Sequence, residues 1–181
     1  MRTLAELQQL YAERPVPPRG EGRVDLLVLR SAPGKHLTPT AAELTPQYGL
    51  VGDRWAKGWT LRRDVDRQVT LMMTAVAELV CDGQPLHLPG DNLLVNLDLG
   101  AEALPIGSRL RAGAVLLEVS KKPHLGCKKF VARFGQDALD WVNDEQGRAR
   151  NLRGVNCRIL EAGTLRVGDG IEVVARSGHQ R

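Results

Sequence analysis

The sequence is short of aromatic residues and cysteine, and each shortage excludes a class of protein. Phe, Tyr and Trp make up 4% of the 181 residues, whereas Gly (19) and Pro (10) are plentiful. This balance suits many short strands joined by turns better than a helical bundle. The three cysteines are odd in number and widely spaced, without a Cys-x-x-Cys pair. The sequence therefore contains neither a disulfide framework nor a thiolate zinc site.

Long apolar segments and strong charge are also lacking. No apolar run approaches the roughly 20 residues that span a bilayer, and the first residues include acidic and polar side chains instead of the apolar region of a signal peptide. We therefore expect a cytoplasmic protein with reduced thiols and no membrane partner. The 25 basic and 21 acidic residues give a net charge of only +4. Because nucleic-acid-binding proteins usually show a dense basic stripe, we expect no nucleic-acid partner.

The hydrophobic pattern predicts a mainly β domain with a few short helices. Residues 3–12 predict a helix, with Thr3 as its N-cap and Glu6 three residues later. Residues 31–48 predict a long loop with one short extended piece. Further helices are predicted at 74–81 and, on either side of Gly135, after Cys127. Strands are predicted at 24–29, 68–72, 93–97, 109–119, 154–160 and 170–174.

This order of elements predicts the organisation of the chain. Strands dominate both ends of the sequence, and closing their sheet would remove its open edges. We therefore predict a closed or partly closed β-barrel at 23–176 with a few short peripheral helices. A helix and linker at 1–22 precede the barrel, and a flexible tail at 177–181 follows it.

Cys127 is the strongest candidate for a chemical centre. It follows the stiff, turn-prone approach Pro123-His-Leu-Gly and precedes a predicted helix that begins with Lys128 and Lys129. The positive end of the helix dipole and the nearby cations favour a thiolate over a thiol. A thiolate can attack sulfur, hold a persulfide or bind a soft metal. Cys81 and Cys157 lie within apolar patterns, so we expect them to be buried and structural.

Other polar residues are candidates whose roles stay open. His124, three residues before Cys127, could tune the thiolate, contact a ligand or cap the turn. In the segment from Gly49 to Arg54, two glycines allow close approach to a ligand. Asp53 could accept from pterin-type N–H groups and Arg54 could bind phosphate, but an exposed ion pair on a hairpin turn explains the same residues. Flanking the predicted strands are Lys35, Arg67, Asn92, Arg150 and Arg153.

Taken in order, these segments resemble the MOSC domain, which is named for the C-terminal domain of molybdenum-cofactor sulfurase. The resemblance covers residues 24–174 and is closest to small stand-alone bacterial members. No single motif is specific, but their order together with the cysteine is. The motifs are Ser31-Ala-Pro-Gly-Lys35, Gly49-Leu-Val-Gly-Asp-Arg54, Arg67-Gln-Val-Thr-Leu-Met72, Pro89-Gly-Asp-Asn-Leu93, Pro123-His-Leu-Gly-Cys127, Leu152-Arg-Gly-Val155 and Val167-Gly-Asp-Gly170.

The resemblance implies a MOSC-type β-barrel and a role with molybdenum cofactor, or with sulfur destined for metal centres. Cys127 would ligate molybdenum or hold persulfide sulfur, with His124 as a second catalytic residue. Residues expected to hold the pterin and its phosphate are Lys35, Asp53, Arg54, Arg67, Asn92, Lys128 and Arg153.

Two departures from the family pattern limit which properties of the family we expect in this chain. Many members have Glu-Asn-Leu where this chain has Asp91-Asn92-Leu93, and the shorter carboxylate could shift a contact. The cysteine-desulfurase half of the sulfurase, with its Schiff-base lysine, does not fit within 181 residues. We therefore expect no use of pyridoxal phosphate.

The resemblance leaves two functional hypotheses. In the first, the protein is a molybdenum-dependent oxidoreductase that reduces N-hydroxylated bases or similar small molecules. It would need an external electron-donor protein, because the sequence contains no flavin or iron–sulfur motif. In the second, Cys127 is a persulfide carrier that delivers sulfur without turnover. A third and simpler alternative is a scaffold without a ligand, in which Cys127 is buried.

Overall fold

The computed structural model describes residues 1–57 and 63–177 of the chain. The strands in these ranges are β1 (Glu21–Leu27), β2 (Leu29–Ala32), β3 (Lys35–Leu37), β4 (Ala41–Thr45), β5 (Gly49–Leu50), β6 (Val69–Met73), β7 (Leu93–Asn96), β8 (Arg109–Ala112), β9 (Val115–Val119), β10 (Val155–Glu161), β11 (Gly163–Arg166) and β12 (Gly170–Ala175). The α-helices are α1 (Leu4–Ala12), α2 (Thr74–Cys81), α3 (Lys128–Phe134), α4 (Gln136–Asn143) and α5 (Glu145–Ala149), and a 3-10 turn spans Val65–Arg67. The mainly β class predicted from the sequence is confirmed.

Seven strands close into a barrel in the order β1-β12-β8-β9-β10-β6-β7. Neighbouring strands are antiparallel except β6 and β7, which run parallel. A parallel pair needs a crossover connection, and α2 lies in the segment that makes it. Because β1 pairs with β12 on one side and with β7 on the other, no barrel strand leaves an open edge. The predicted closed barrel is confirmed.

Aliphatic side chains fill the barrel, and the helices cover its outside. Leu71, Leu93 and Leu117, from three barrel strands, are fully buried. Helix α1 begins with the predicted capping box of Thr3 and Glu6 and buries Leu7 against the rest of the core. It contacts both α2 and α4. In the described part of the chain, no helix has the length and apolar character needed to cross a membrane.

The structure corrects the sequence prediction at several elements. The loop predicted at 31–48 is wrong, because this region contains the end of β2 and the whole of β3 and β4. β4 pairs with β11, more than 100 residues later, so local sequence gave no indication of it. The single strand predicted at 109–119 is two strands, which turn at Gly113 with a φ of +50°. Helix α5 was not predicted. Apart from Ser177, the predicted tail lies outside the described residues.

Candidate functional site

The loop that leads to Cys127 is held at both ends by asparagine side chains. Near its start, Asn156 of β10 donates to the carbonyl oxygens of Lys122 (3.1 Å) and Pro123 (3.2 Å). Near its end, Asn143 of α4 accepts from the Gly126 amide at 2.9 Å and donates to the Gly126 carbonyl at 3.2 Å. Such paired bonds fix a backbone position well. The loop therefore places Cys127 in a defined position relative to the barrel.

Cys127 is the N-cap residue of α3 and is exposed, whereas Cys81 and Cys157 are buried. Burial raises the pKa of the Cys81 thiol to about 12. Burial, with a smaller effect of the Glu118 carboxylate, also raises the pKa of the Cys157 thiol. Both buried thiols therefore stay protonated and behave as small apolar groups. The structural role predicted for them agrees with this burial.

Two adjoining cavities meet at Cys127. The larger has a volume of 670 Å³ and the smaller 290 Å³. Four residues, Arg30, Arg54, His124 and Cys127, line both cavities. The larger cavity is completed by Trp55, Asp64, Arg67, Thr70, Pro123, Leu125, Gly126 and Asn156. The smaller is completed by Gly34, His36, Pro89, Gly90, Lys129, Phe130, Arg133, Phe134 and Arg153.

Positive charge dominates the walls of these cavities. Among the described lining residues, Asp64 is the one carboxylate. Burial and the neighbouring charges of Arg30 and Arg133 lower the pKa of Arg54, which shows that its own charge is disfavoured there. An anion bound between these groups would relieve that repulsion. The cationic lining residues are Arg30, Arg54, Arg67, Lys129, Arg133 and Arg153.

A buried ion pair supports one wall of the site. The Asp53 carboxylate is 1% exposed and accepts two guanidinium bonds from Arg30, each 2.9 Å long. It also accepts from the Trp55 amide at 2.9 Å and from the Asn92 side chain at 3.2 Å. These bonds, against the cost of burial, lower the pKa of Asp53. Since both oxygens are occupied, Asp53 lies behind the wall and positions Arg30.

A second buried group, centred on Asp91, supports the wall beside Cys127. Arg153 donates to Oδ2 of Asp91 at 2.6 Å and also lies over the ring of Phe130. Nδ1 of His124 lies 3.4 Å from Oδ1 of Asp91 without forming a hydrogen bond. Nε of Arg153 and Oδ1 of Asp91 are likewise buried without a partner among the described residues. Buried polar atoms that lack a hydrogen-bond partner within the protein frequently bond to a ligand or to water.

His124 is neutral at physiological pH. Its side chain is 15% exposed, and burial lowers its pKa to about 3, assisted by the charge of Arg153 and opposed by that of Asp91. The imidazole therefore adds no positive charge near Cys127. Any positive potential at the thiol comes from the arginines, the lysines and the helix start.

The structure brings together only some of the residues that the sequence predicted. Cys127, His124, Arg54, Arg67 and Arg153 line the cavities. Asp53 and Asn92 lie behind the wall, where Asn92 accepts from Thr70 and donates to the Val28 carbonyl. Lys35 and Lys128 are exposed and line neither cavity. The roles predicted for all of these residues stay predictions.

Sequence reasoning missed Arg30 and Arg133 as lining residues. Of the two lysines that it placed next to Cys127, it assigned Lys128 to the cofactor, whereas Lys129 lines the smaller cavity. Arg30 directly precedes the Ser31-Ala-Pro-Gly-Lys35 motif. The motif therefore lies next to Arg30 in the sequence but does not include it. Arg133 follows Lys129 by four residues on α3, a spacing that places both on one helix face. Its guanidinium donates to the Leu88 carbonyl at 2.7 Å. This helical spacing is the signal that could have identified Arg133.

No cluster of three or more His, Cys, Asp or Glu side chains that could hold a metal ion occurs within 1–57 and 63–177. Cys127 is thus a single soft ligand in cationic surroundings. A metal that binds here would need most of its ligands from elsewhere, for example from an organic cofactor.

Comparisons with known proteins agree with the barrel. A sequence profile described as the MOSC domain matches residues 73–172. No curated protein matches the sequence. A crystal structure titled as that of a hypothetical protein aligns with a TM-score of 0.65 and 18% identity, over 89% of this chain and 71% of that chain.

Two further solved structures have the same fold at low identity. YiiM from Escherichia coli aligns with a TM-score of 0.59 and 20% identity, over 86% of this chain and 71% of that chain. The YUAD protein from Bacillus subtilis aligns with a TM-score of 0.58 and 16% identity, over 87% of this chain and 98% of that chain. At these identities the likeness concerns the fold alone.

Proposed function

The chain belongs to the MOSC domain family, which is associated with molybdenum cofactor, and we propose that its two cavities bind this cofactor beside Cys127. The observation that supports the proposal is the exposed thiol of Cys127 on cavities lined by six cationic side chains. Neither feature alone would suffice, because lysines and arginines are common on surfaces and an exposed cysteine is common in loops.

The lining residues fit the chemistry of the cofactor. Molybdenum cofactor is an anionic pterin that has a phosphate and two sulfur ligands for its metal. Guanidinium groups match phosphate oxygens with paired hydrogen bonds. Arg30 and Arg153 are preorganised by Asp53 and Asp91, and Nε of Arg153 is still without a partner among the described residues. Most metal ligands would come from the pterin, in accord with the lack of a protein metal cluster in the described ranges.

Cys127 would add a thiolate ligand at a fixed position. A thiolate is among the soft ligands that a thiolate-rich metal site accepts. When bound, the cofactor supplies a redox-active metal that can exchange electrons with a small molecule. The chain contributes the position of the sulfur, which Asn143 and Asn156 set through the loop. It also contributes charge neutralisation by the arginines.

The function proposed first is the reduction of N-hydroxylated bases or similar small molecules. The larger cavity, at 670 Å³, is within the size range of small-molecule sites. An external electron-donor protein is part of the proposal, since the sequence has no flavin or iron–sulfur motif. Leu125, 41% exposed beside Cys127, leaves an accessible surface at the mouth of the site.

The exposure of Cys127 supports a second candidate, a sulfur carrier. A persulfide donor would transfer its outer sulfur to the Cys127 thiolate, and the donor thiolate would leave. The acceptor protein would later attack that outer sulfur and release Cys127 as a thiolate. This exchange needs an accessible thiol, which the structure provides.

Metal and pterin analysis tests whether the cavities bind the cofactor. The wild-type protein and Cys127→Ser are purified from a host that makes molybdenum cofactor, with Cys81→Ala as a matched variant of a buried cysteine. We expect stoichiometric molybdenum and pterin in the wild type and in Cys81→Ala, and at least a tenfold loss of molybdenum in Cys127→Ser. A wild-type protein that contains neither molybdenum nor pterin would refute the proposal.

Two assays then separate the enzyme from the carrier. Steady turnover of an N-hydroxylated base by cofactor-containing protein, with a chemical reductant, favours the oxidoreductase. A mass increase of one sulfur atom on Cys127, after treatment of cofactor-free protein with a persulfide donor, favours the carrier. A protein that takes up sulfur on Cys127 and never turns over the base would exclude the first function.

A further inference from the structure

The two ring nitrogens of His124 face different surroundings. Nδ1 is buried, 3.4 Å from Oδ1 of Asp91. Nε2, on the other side of the ring, forms no hydrogen bond with the described residues and, unlike Nδ1, is not a buried polar atom without a partner. His124 lines both cavities together with Cys127. The state of Nε2 therefore decides what His124 offers to a ligand next to Cys127.

Although Asp91 forms no hydrogen bond with the ring, its negative charge favours the proton of the neutral imidazole on Nδ1. Its carboxylate is fully buried, and its other oxygen accepts from Arg153 at 2.6 Å. The Arg153 side chain is itself held near the Pro89 carbonyl and over the ring of Phe130. With a fixed carboxylate on its Nδ1 side, the imidazole favours the tautomer with the proton on Nδ1. Nε2 is then left with a lone pair.

A second proton on His124 is opposed from several sides. Burial and the charges of Arg153, Arg30 and Arg67 disfavour the imidazolium, and of the charges that act on the ring only Asp91 favours it. The pKa of His124 is accordingly lowered to about 3. Near neutral pH the ring therefore carries one proton. With that proton on Nδ1, Nε2 can accept a hydrogen bond and supplies no proton.

We infer that His124 is a specificity-determining residue whose unprotonated Nε2 selects, beside Cys127, a ligand that donates a hydrogen bond from an O–H or N–H group. This inference rests on the proposed function and deepens it, because it states which part of a substrate His124 recognises. The hydroxyl of an N-hydroxylated base is such a donor. The matching O-alkyl ether lacks that hydrogen, so its oxygen would face the lone pair of Nε2 and lose affinity.

Nitrogen NMR tests the state of His124 directly. Protein with labelled histidine is examined by long-range proton–nitrogen spectra between about pH 5 and pH 8, with His124→Gln to assign the signals. We expect the neutral tautomer with the proton on Nδ1 throughout, and a mixture of tautomers in Asp91→Asn. A wild-type His124 that titrates near its ordinary pKa, or has its proton on Nε2, would overturn the inference. This measurement needs no cofactor, so its outcome is independent of the proposed function.

Paired ligands test the recognition itself. Benzamidoxime and its O-methyl ether are titrated into cofactor-containing protein without an electron donor, and also into cofactor-free protein. One hydrogen bond predicts that the hydroxyl compound binds up to roughly tenfold more tightly. In His124→Phe, which keeps an aromatic ring but offers no acceptor, the ratio of the two affinities should shrink several-fold. The bulk of the methyl group affects both proteins alike, so it does not contribute to this difference.

Two further variants complete the comparison. His124→Gln has a side-chain oxygen that can accept, so it should retain part of the preference for the hydroxyl compound. His87→Gln changes a histidine that lines neither cavity and should leave the ratio unchanged. Equal affinity of the two compounds for the wild type, or an unchanged ratio in His124→Phe, would contradict the inference. A lack of cofactor in the wild type would refute the proposed function and leave these ratios measurable on the cofactor-free protein.

Discussion

Single residues of the same type have very different chemistry in this molecule, and burial is the reason. Cys127 is exposed at a helix start, whereas Cys81 and Cys157 lie in the core. The sequence predicted this difference, because the neighbours that matter to Cys127 are adjacent in the chain. It could not predict the partner of Asp53, since Arg30 is 23 residues away and meets it only in the folded barrel.

Thiol alkylation checks the difference between the cysteines. With iodoacetamide near neutral pH, we expect rapid modification of Cys127 alone, because burial raises the pKa values of the other two thiols. Peptide mass spectrometry identifies the modified residue, and Cys127→Ser should show almost no modification until urea unfolds the protein. Comparable rates at all three cysteines in the native protein would contradict the structure.

His124 gives a pH dependence of stability whose sign is fixed. Its pKa is about 3 in the folded protein and about 6.5 when unfolded, so the unfolded chain binds the proton more readily. The contribution is present above pH 6.5 and is lost as the pH falls toward 3. Between pH 7 and pH 5, linkage predicts a loss of about 2 kcal/mol in the free energy of unfolding from this residue.

Urea unfolding at both pH values measures this contribution. His124→Gln cannot titrate, so its free energy of unfolding should fall by about 2 kcal/mol less than that of the wild type between pH 7 and pH 5. Parallel pH profiles for the wild type and His124→Gln would show that His124 is not buried as described.

At the scale of elements, local patterns predicted most helices and barrel strands. Residues 68–72 and 74–81 were predicted as a strand and a helix, and the structure has β6 and α2 there. These elements are long or strongly apolar. The elements that were missed at 31–48 are short strands whose pairing partners are distant or whose turn residues resemble a loop. Whether such a segment forms a strand depends on pairing with a distant partner, and a local sequence pattern contains no information on that pairing.

The clamp between α4 and the Cys127 loop can be tested at this scale. Asn143→Ala removes two bonds to Gly126 and leaves a part-buried amide and carbonyl without partners, so we expect a loss of about 1–3 kcal/mol in the free energy of unfolding. Alkylation of Cys127 should also change, because the loop is no longer fixed. Asp140→Ala, an exposed change on the same helix, should stay within about 0.5 kcal/mol of the wild type.

At the scale of the whole molecule, the fold concentrates positive charge that the sequence disperses. Arg30 and Arg54 come from the first third of the chain, and Lys129, Arg133 and Arg153 from the last third, yet all line the smaller cavity. A net charge of +4 gave no indication of such a cluster. Composition fixes the total charge but not its distribution, and the distribution depends on the closed barrel.

Removing one of these cations should stabilise the cofactor-free protein. In cofactor-free protein at low salt, Arg54→Gln should raise the free energy of unfolding, because burial and the like charges of Arg30 and Arg133 outweigh the favourable charge of Asp53 and lower the pKa of Arg54. The gain should shrink as added salt screens the repulsion. Arg166→Gln, an exposed change on β11, serves as the control. Destabilisation by Arg54→Gln at every salt concentration would contradict this account.

The position of β1 between β12 and β7 has a consequence for biosynthesis. β1 leaves the ribosome early, but its partner β12 is made only after every other barrel strand. The barrel therefore cannot close on a nascent chain that lacks β12, and its contacts are of high sequence separation. Until then β1 has an unpaired edge that invites aggregation. Arg30 and Arg54 meet Arg153 only once the later strands are in place, so the cationic cavities are complete only after these strands have been made.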